Sequence, residues 1–247
     1  PLDPEYAKTV LGSFSWYNSG KAVRELGYRI PAARECLAAA VLNERRRMTG
    51  TLALGMPTAQ AIPARVSVSE ELPPLLITGV PGWLGNRFVD ILSQGKFAGR
   101  QLPQRKIRLL VERRNVDLLK LPKPFEVVVG DICDPPSVHA ALDGIETVFH
   151  LAGAIYPPKL ATLYRVNVDG TRNLIDQCIA RGVRRVLYMS TDSTCGHGSH
   201  EQRLFDERTR DNPYRHYGRS KWLAERYILE QSANGKIDGT SLRGFWF

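Results

Sequence analysis

Tyr217 and Lys221 stand four residues apart in NPYRHYGRSKWLAERYILEQ, residues 212–231, a stretch that reads as a helix. Residues at this spacing share one helix face. A free phenol, with a pKa of about 10, is a poor base at neutral pH. A lysine ammonium on the same face favours the phenolate and draws that value toward the operating range. Such a pair could exchange a proton with a substrate hydroxyl or carbonyl. The spacing alone does not separate this from an ordinary aromatic beside an ordinary surface lysine, so the partners must be sought elsewhere in the chain.

A second chemistry-bearing stretch is TGVPGWLGNRF, where Gly79, Gly82 and Gly85 bracket Trp83 and Leu84. The apolar LLIT, residues 75–78, precedes it and a helical pattern follows. Glycine is needed where the backbone turns tightly, where it approaches a pyrophosphate and where a helix packs on a strand. The helix N-terminus then offers free N–H groups to phosphates. Strand before and helix after is the context that turns a glycine triplet into a dinucleotide-binding turn.

The next apolar run, IRLLVERR, ends in Glu112 followed by Arg113 and Arg114. An acid here accepts from ribose hydroxyls and repels a 2′-phosphate, whereas arginine pairs with one. Glu112 lies 33 residues after Gly79, an excess that the Gly/Pro/basic insert SQGKFAGRQLPQRK accounts for. The two signals conflict; Glu112 tips the reading to NAD and leaves NADP open.

The elements that must position these residues alternate along the chain from Leu75. Apolar runs (LLIT, IRLLVE, FEVVVGD, ETVFHLAG, RRVLYMST, GTSLRGFWF) are separated by helical patterns (WLGNRFVDIL, PSVHAAL, ATLYRVNVDGTRNLIDQCIARG and the Tyr217 stretch). Repeated strand, helix, strand with buried-type strands predicts a doubly wound parallel α/β sheet of the Rossmann kind.

Composition sets the outer bounds. The chain has 247 residues, 43% of them hydrophobic, enough for a core of one or two domains. Lys plus Arg number 34 against 25 Asp plus Glu, a net +9. The basic residues fall in scattered short runs without interleaved aromatics, which argues against nucleic acid as a partner and suits an anionic small molecule. Cys36, Cys133, Cys178 and Cys195 lie far apart with no C-x-x-C, so neither a disulfide framework nor a zinc knuckle is expected, and a reducing cytoplasm fits. His197 and His200, in HGSH, read as a loop rather than a metal site, and no metal is expected. No run approaches the roughly 18 apolar residues of a membrane span.

From residue 74 the chain resembles the extended short-chain dehydrogenase/reductase family, in its dihydroflavonol-reductase-like and 3β-hydroxysteroid-dehydrogenase-like branch. The resemblance rests on six motifs in the family's order: TGVPGWLG, VVGDICD, VFHLAGA, NVDGTRNL, YMSTDSTCG and YGRSKWLAE. It implies that Asp131 and Ile132 lie beside the adenine and that Leu151, Ala152 and Gly153 bring the backbone close to the cofactor. Asn167 would steady the active-site backbone. Thr191 matches the catalytic Ser/Thr position, with Ser190 and Ser193 close enough that the assignment holds only to a residue or two.

Tyr217 and Lys221 match the Y-x-x-x-K pair, 26 residues separating Thr191 from Tyr217. The implied activity is NAD(P)-dependent oxidoreduction, epimerisation or dehydration of a nucleotide-sugar, steroid-like or flavonoid-like small molecule. Tyr217 would act as acid and base, Lys221 would bind the nicotinamide ribose, and Thr191 would hold the substrate oxygen. A homodimer is implied as well. A cofactor-sensing protein without catalysis, or an inactive fragment of a tandem reductase, is the alternative.

Residues 17–28, YNSGKAVRELGY, resemble a stretch that this branch carries near its C-terminus, yet here it precedes the glycine turn. The expected division is a tail segment over 1–47, a linker over 48–73 and a dinucleotide-binding domain over 74–247. Both ends look cut, and a fragment of tandem origin is favoured over a circular permutation or a truncated reading frame. The missing part, on the order of a hundred residues, would build most of the substrate pocket.

Overall fold

The computed structural model describes residues 16–17, 72–97, 100–119, 125–196, 204–205 and 209–244. Its centre is a parallel sheet of β1 (Leu72–Thr78), β2 (Arg105–Val111), β3 (Glu126–Val129), β4 (Thr147–His150), β5 (Arg185–Thr191) and β6 (Asp238–Gly244). The six strands lie in the order β6-β5-β4-β1-β2-β3. The order reverses between β1 and β4, and the crevice outside the carboxyl ends of the strands at such a switch point is where open α/β sheets bind ligands. The doubly wound parallel sheet expected from the alternating pattern is therefore the fold.

In β1, Leu75, Leu76 and Ile77 are all buried, because both faces of the sheet are covered. Leu75 and Ile77 face Val89 of helix α1 (Trp83–Gln94), together with Leu109 and Val111. Leu76 faces the other way, into the larger core shared with helix α2 (Pro135–Ala141) and two longer helical segments. Asp134 caps α2 by accepting from Ser137 N at 3.1 Å, with prolines in its first turn. Helix α3 (Leu160–Tyr164) runs through a π-helical turn, Arg165–Gly170, into α4 (Thr171–Ala180). Helix α5 (Arg215–Ala233) carries Tyr217 and Lys221.

Register places four polar side chains in one row across the sheet. Thr78 pairs with His150, His150 with Tyr188, and Tyr188 with Ser241. Side chains in one row point to the same face, and this row lies near the carboxyl edge, under α4 and α5.

The tail expected over 1–47 and the linker expected over 48–73 lie outside the described residues except for Leu72 and Pro73, which open β1, and Trp16–Tyr17, which pairs in parallel with Leu204–Phe205. His197 and His200 also lie outside them. Among the described residues no group of three or more His, Cys, Asp or Glu could hold a metal ion, and no helix is long and apolar enough to cross a membrane.

Candidate functional site

The glycine turn is built by backbone contact. Gly79 adopts φ +91°, and a Cβ there would lie 2.6 Å from Ala152 N and from the Leu151 carbonyl carbon. A Cβ on Gly82 would come within 2.7 Å of Gly79 O, and one on Gly85 would press still harder on the same oxygen. Gly82 N donates to Gly79 O at 2.9 Å, closing the turn. Gly82 then stands at the N-cap of α1, with no side chain to cap its first turn. The helix N-terminus is thus directed at the same edge as the turn, and Trp83 is exposed beside it.

The loop after β4 is bound to this turn on one side and to the helices on the other. Leu151 N donates to Thr78 O at 3.3 Å and Ala152 N to Thr78 Oγ1 at 3.3 Å. Asn167, buried in the π-helical turn, accepts from Ala154 N at 2.7 Å and donates to Ala154 O and Ser220 Oγ, each at 2.9 Å. All the amide's functions are used, and one side chain ties the loop to α5.

His150 extends the tie. Thr171 Oγ1 donates to Asn167 O at 2.7 Å, so it accepts from His150 Nε2 at 2.9 Å; Nδ1 then accepts from Thr78 Oγ1 at 2.8 Å. The ring is fully buried and burial, followed by the charge of Lys221, lowers its pKa to about 3, which keeps it neutral.

Thr191, Tyr217 and Lys221 meet where β5 ends. Thr191 caps the short turn Asp192–Thr194, accepting from Ser193 N at 3.3 Å. Helix α5 rests on that turn through Gly218, where a Cβ would lie 2.5 Å from Ser193 O. Tyr214 N reinforces the seat by donating to Ser193 O at 2.8 Å. Thr191 Oγ1 donates to Asp192 Oδ1 at 2.9 Å and lies beside the Tyr217 phenol. Ser193 Oγ is 3.4 Å from Thr191 Oγ1, whereas Ser190 Oγ is buried without a partner among the described residues.

Lys221 is almost fully buried. Its ammonium lies 4.2 Å from the centre of the Tyr188 ring and 3.6 Å from where a Gly153 Cβ would stand. Burial lowers its pKa to about 7, against the opposing carboxylate of Glu225. Glu225 is itself buried and paired with Arg243 of β6, which also holds Asp211 at 2.6 Å in the segment leading into α5.

The Tyr217 phenol is flanked by Thr191 and Asp192. Its pKa is raised, first by burial and then by Asp192, with the Thr191 hydrogen bond pulling the other way. The Lys221 ammonium, on the same helix, lies over the Tyr188 ring beside Gly153.

The remaining expected residues are placed as follows. Glu112, at the end of β2, is ion-paired to Arg114 Nε, and Arg113 is exposed. Asp131 Oδ1 accepts from Cys133 N at 2.8 Å. Ile132 is buried against Gly170 and its carbonyl accepts from Asn173 at 2.8 Å, so its side chain belongs to the core. Sequence reasoning passed over His150, Tyr188, Gly218, Ser220 and Arg243. His150, Tyr188, Gly218 and Ser220 all stand inside quoted motifs, and a histidine at the end of an apolar strand was a usable signal; what Tyr188 and Arg243 contact could not be read without the register.

These features fit a dinucleotide: a glycine turn too tight for any Cβ, an uncapped helix N-terminus, and a buried ammonium beside Gly153. A parallel sheet wound in this order, with hydroxyl, phenol and ammonium gathered at its carboxyl edge, defines a member of the extended short-chain dehydrogenase/reductase superfamily. A structure of a superfamily protein from Agrobacterium tumefaciens with bound NAD superposes with a TM-score of 0.57 at 26% identity, covering 69% of this chain and 48% of that one.

Within the superfamily the assignment narrows. The model of the 3-beta hydroxysteroid dehydrogenase/isomerase family matches residues 76–243, and the chain belongs to that family. An uncharacterized protein of Sinorhizobium fredii is 34% identical over 186 residues, 73% of this chain and 52% of that protein. The 3 beta-hydroxysteroid dehydrogenase type 7 of Rattus norvegicus is 34% identical over 178 residues, 68% of this chain and 51% of that protein. The chain thus spans about half the length of the curated relatives it matches.

Proposed function

We propose that the protein is an NAD(P)-dependent oxidoreductase acting at a hydroxyl or carbonyl carbon, with NAD favoured and a steroid-like alcohol or ketone as the substrate class. The observation that carries this reading is the convergence of the Gly79–Gly85 cradle, the Leu151–Gly153 loop and the Thr191, Tyr217 and Lys221 side chains on one edge of the sheet. The Agrobacterium structure's NAD supports the cofactor, and the names of the relatives support the substrate class.

Gly79, Gly82 and Gly85 would admit the pyrophosphate against the first turn of α1. Glu112 would meet the adenosine ribose, Asp131 the adenine, and Lys221 Nζ the second ribose beside Gly153. The cofactor, when bound, supplies a hydride acceptor or donor. Thr191 holds the substrate oxygen, and Tyr217 passes the proton to or from it. Burial and Asp192 hold the phenol up, and the positive ring of a bound oxidised nicotinamide would favour its ionised form. A homodimer and a cytoplasmic location belong to the same proposal and rest on the resemblance and on the free thiols.

Titration of the chain with NADH and NADPH by fluorescence tests the cofactor reading; no binding of either at millimolar concentration overturns it. Tyr217→Phe in the full-length protein should then lower kcat about 10²- to 10⁴-fold with cofactor affinity kept. Epimerisation or dehydration of the same class of carbon would need the same three side chains. A second reading, cofactor binding without turnover, is favoured by the raised phenol. Retention of cofactor binding with no effect of Tyr217→Phe on any turnover would select it.

A further inference from the structure

We propose that Tyr188 is the positioning residue of Lys221: the face of its ring, fixed in the sheet, carries the lysine ammonium and holds it at the mouth of the cleft beside Gly153. Tyr188 is the third member of the row Thr78, His150, Tyr188 and Ser241, and it is completely buried. On one side its ring lies against His150, centroid to centroid 5.2 Å at 32°. Above it stands Lys221, with Nζ 4.2 Å from the ring centre.

The ring's hydroxyl has no part in this arrangement. Tyr188 Oη is buried with no hydrogen-bond partner among the described residues, although buried hydroxyls ordinarily find one. An aromatic kept for its hydroxyl would not leave it orphaned. What the position uses is the π-face, and a desolvated ammonium is the group that face attracts most strongly.

Among the described residues the ammonium is in no hydrogen bond or ion pair that competes with the Tyr188 ring. The titratable groups around it are Glu225 and Tyr217 on its own helix, His150 on β4 and Tyr188 on β5. Glu225 acts on Lys221 from one turn away, but its oxygens are occupied by Ser241 Oγ at 3.0 Å and by Arg243 Nε at 2.9 Å. His150 is held neutral between Thr78 and Thr171. Tyr188 therefore fixes where the charge sits. The consequence for cofactor binding rests on the reading of Lys221 given above; the test does not.

The test follows the Lys221 side chain directly, by NMR of the full chain carrying ¹³Cε-labelled lysine, without cofactor, the signal being assigned by its loss in Lys221→Met. In Tyr188→Leu and Tyr188→Met the titration midpoint should fall by about one pH unit, the tenfold loss of ammonium that removing a desolvated cation–π contact produces. Tyr188→Phe should leave the midpoint unchanged and the thermal midpoint no lower, because only an unpaired hydroxyl is removed. If the aliphatic variants do not fold, phenylalanines bearing one, two or three ring fluorines at position 188 keep the shape and weaken the face, and the midpoint should fall stepwise. An unchanged midpoint in the aliphatic variants, a fall in Tyr188→Phe as large as in Tyr188→Leu, or no trend with fluorination would overturn the proposal. A midpoint shift as expected in a chain that binds neither NADH nor NADPH leaves Tyr188 in this role and removes the proposed function.

Discussion

The two halves of the cleft are built from different materials. The half around Gly79 is made of main chain: three glycines, an uncapped helix start and a loop whose amides are pinned to Thr78. The half around Tyr217 is made of side chains, with Asn167, His150, Tyr188, Glu225 and Arg243 gathered around Lys221 and the loop after β4. Backbone surfaces tolerate no added atom, whereas a buried ion pair tolerates no missing partner. The first kind of site fails by crowding, the second by orphaning a buried charge or donor.

The largest effect is expected from orphaning. Arg243→Ala strips the buried Glu225 carboxylate of its guanidinium and should cost about 4 kcal/mol in urea denaturation. Arg243→Met combined with Glu225→Gln should recover part of that loss, since the cost lies in the unpaired charge. Equal losses in the single and double variants would show that the pair contributes packing alone.

Crowding comes next. Gly79→Ala meets both a left-handed φ and the Ala152 and Leu151 backbone, and should cost about 3 kcal/mol and abolish NADH binding. Gly182 has φ +69° but nothing within 4 Å of a Cβ, so Gly182→Ala isolates the conformational part, about 1 kcal/mol. Similar costs at the two positions would contradict a cradle defined by contact.

His150 links the halves and should be read by pH. Its folded pKa of about 3 lies below the ordinary 6.5. The unfolded chain therefore takes up the proton first. The stability is complete above pH 6.5 and is lost as pH falls toward 3. Between pH 7 and pH 5 the loss from this one ring should be about 2 kcal/mol. His150→Gln, measured by urea denaturation at both pH values, should have a shallower dependence by that amount.

The smallest effect belongs to the rim. Glu112 is only partly buried and already paired to Arg114. Glu112→Gln should weaken NADH about fivefold, some 1 kcal/mol, while NADPH affinity holds or rises. A loss shared equally by both cofactors would remove Glu112 from the choice between them.

The glycine half was open to reading in the residues themselves, because Gly79, Gly82 and Gly85 report a steric need that no other residue meets. Asn167 and Thr191 were found only through the order of the six motifs, and the structure supplies their contacts. The expectation for Tyr217 was incomplete for a physical reason. Helix spacing fixes which face Lys221 shares, but the position of its ammonium depends on what lies across from that face.

By itself the sequence determined the strand and helix alternation, and with it the parallel sheet, since buried β-runs and glycine turns are local properties of the chain. It determined too that a phenol and an amine share a helix face. Only the tertiary structure decided the strand order and register, which set Thr78, His150, Tyr188 and Ser241 in one row, seated Arg243 on Glu225 and laid Lys221 over an aromatic ring. Those contacts join residues far apart in the chain, and their energies come from burial and from partners that local sequence does not name.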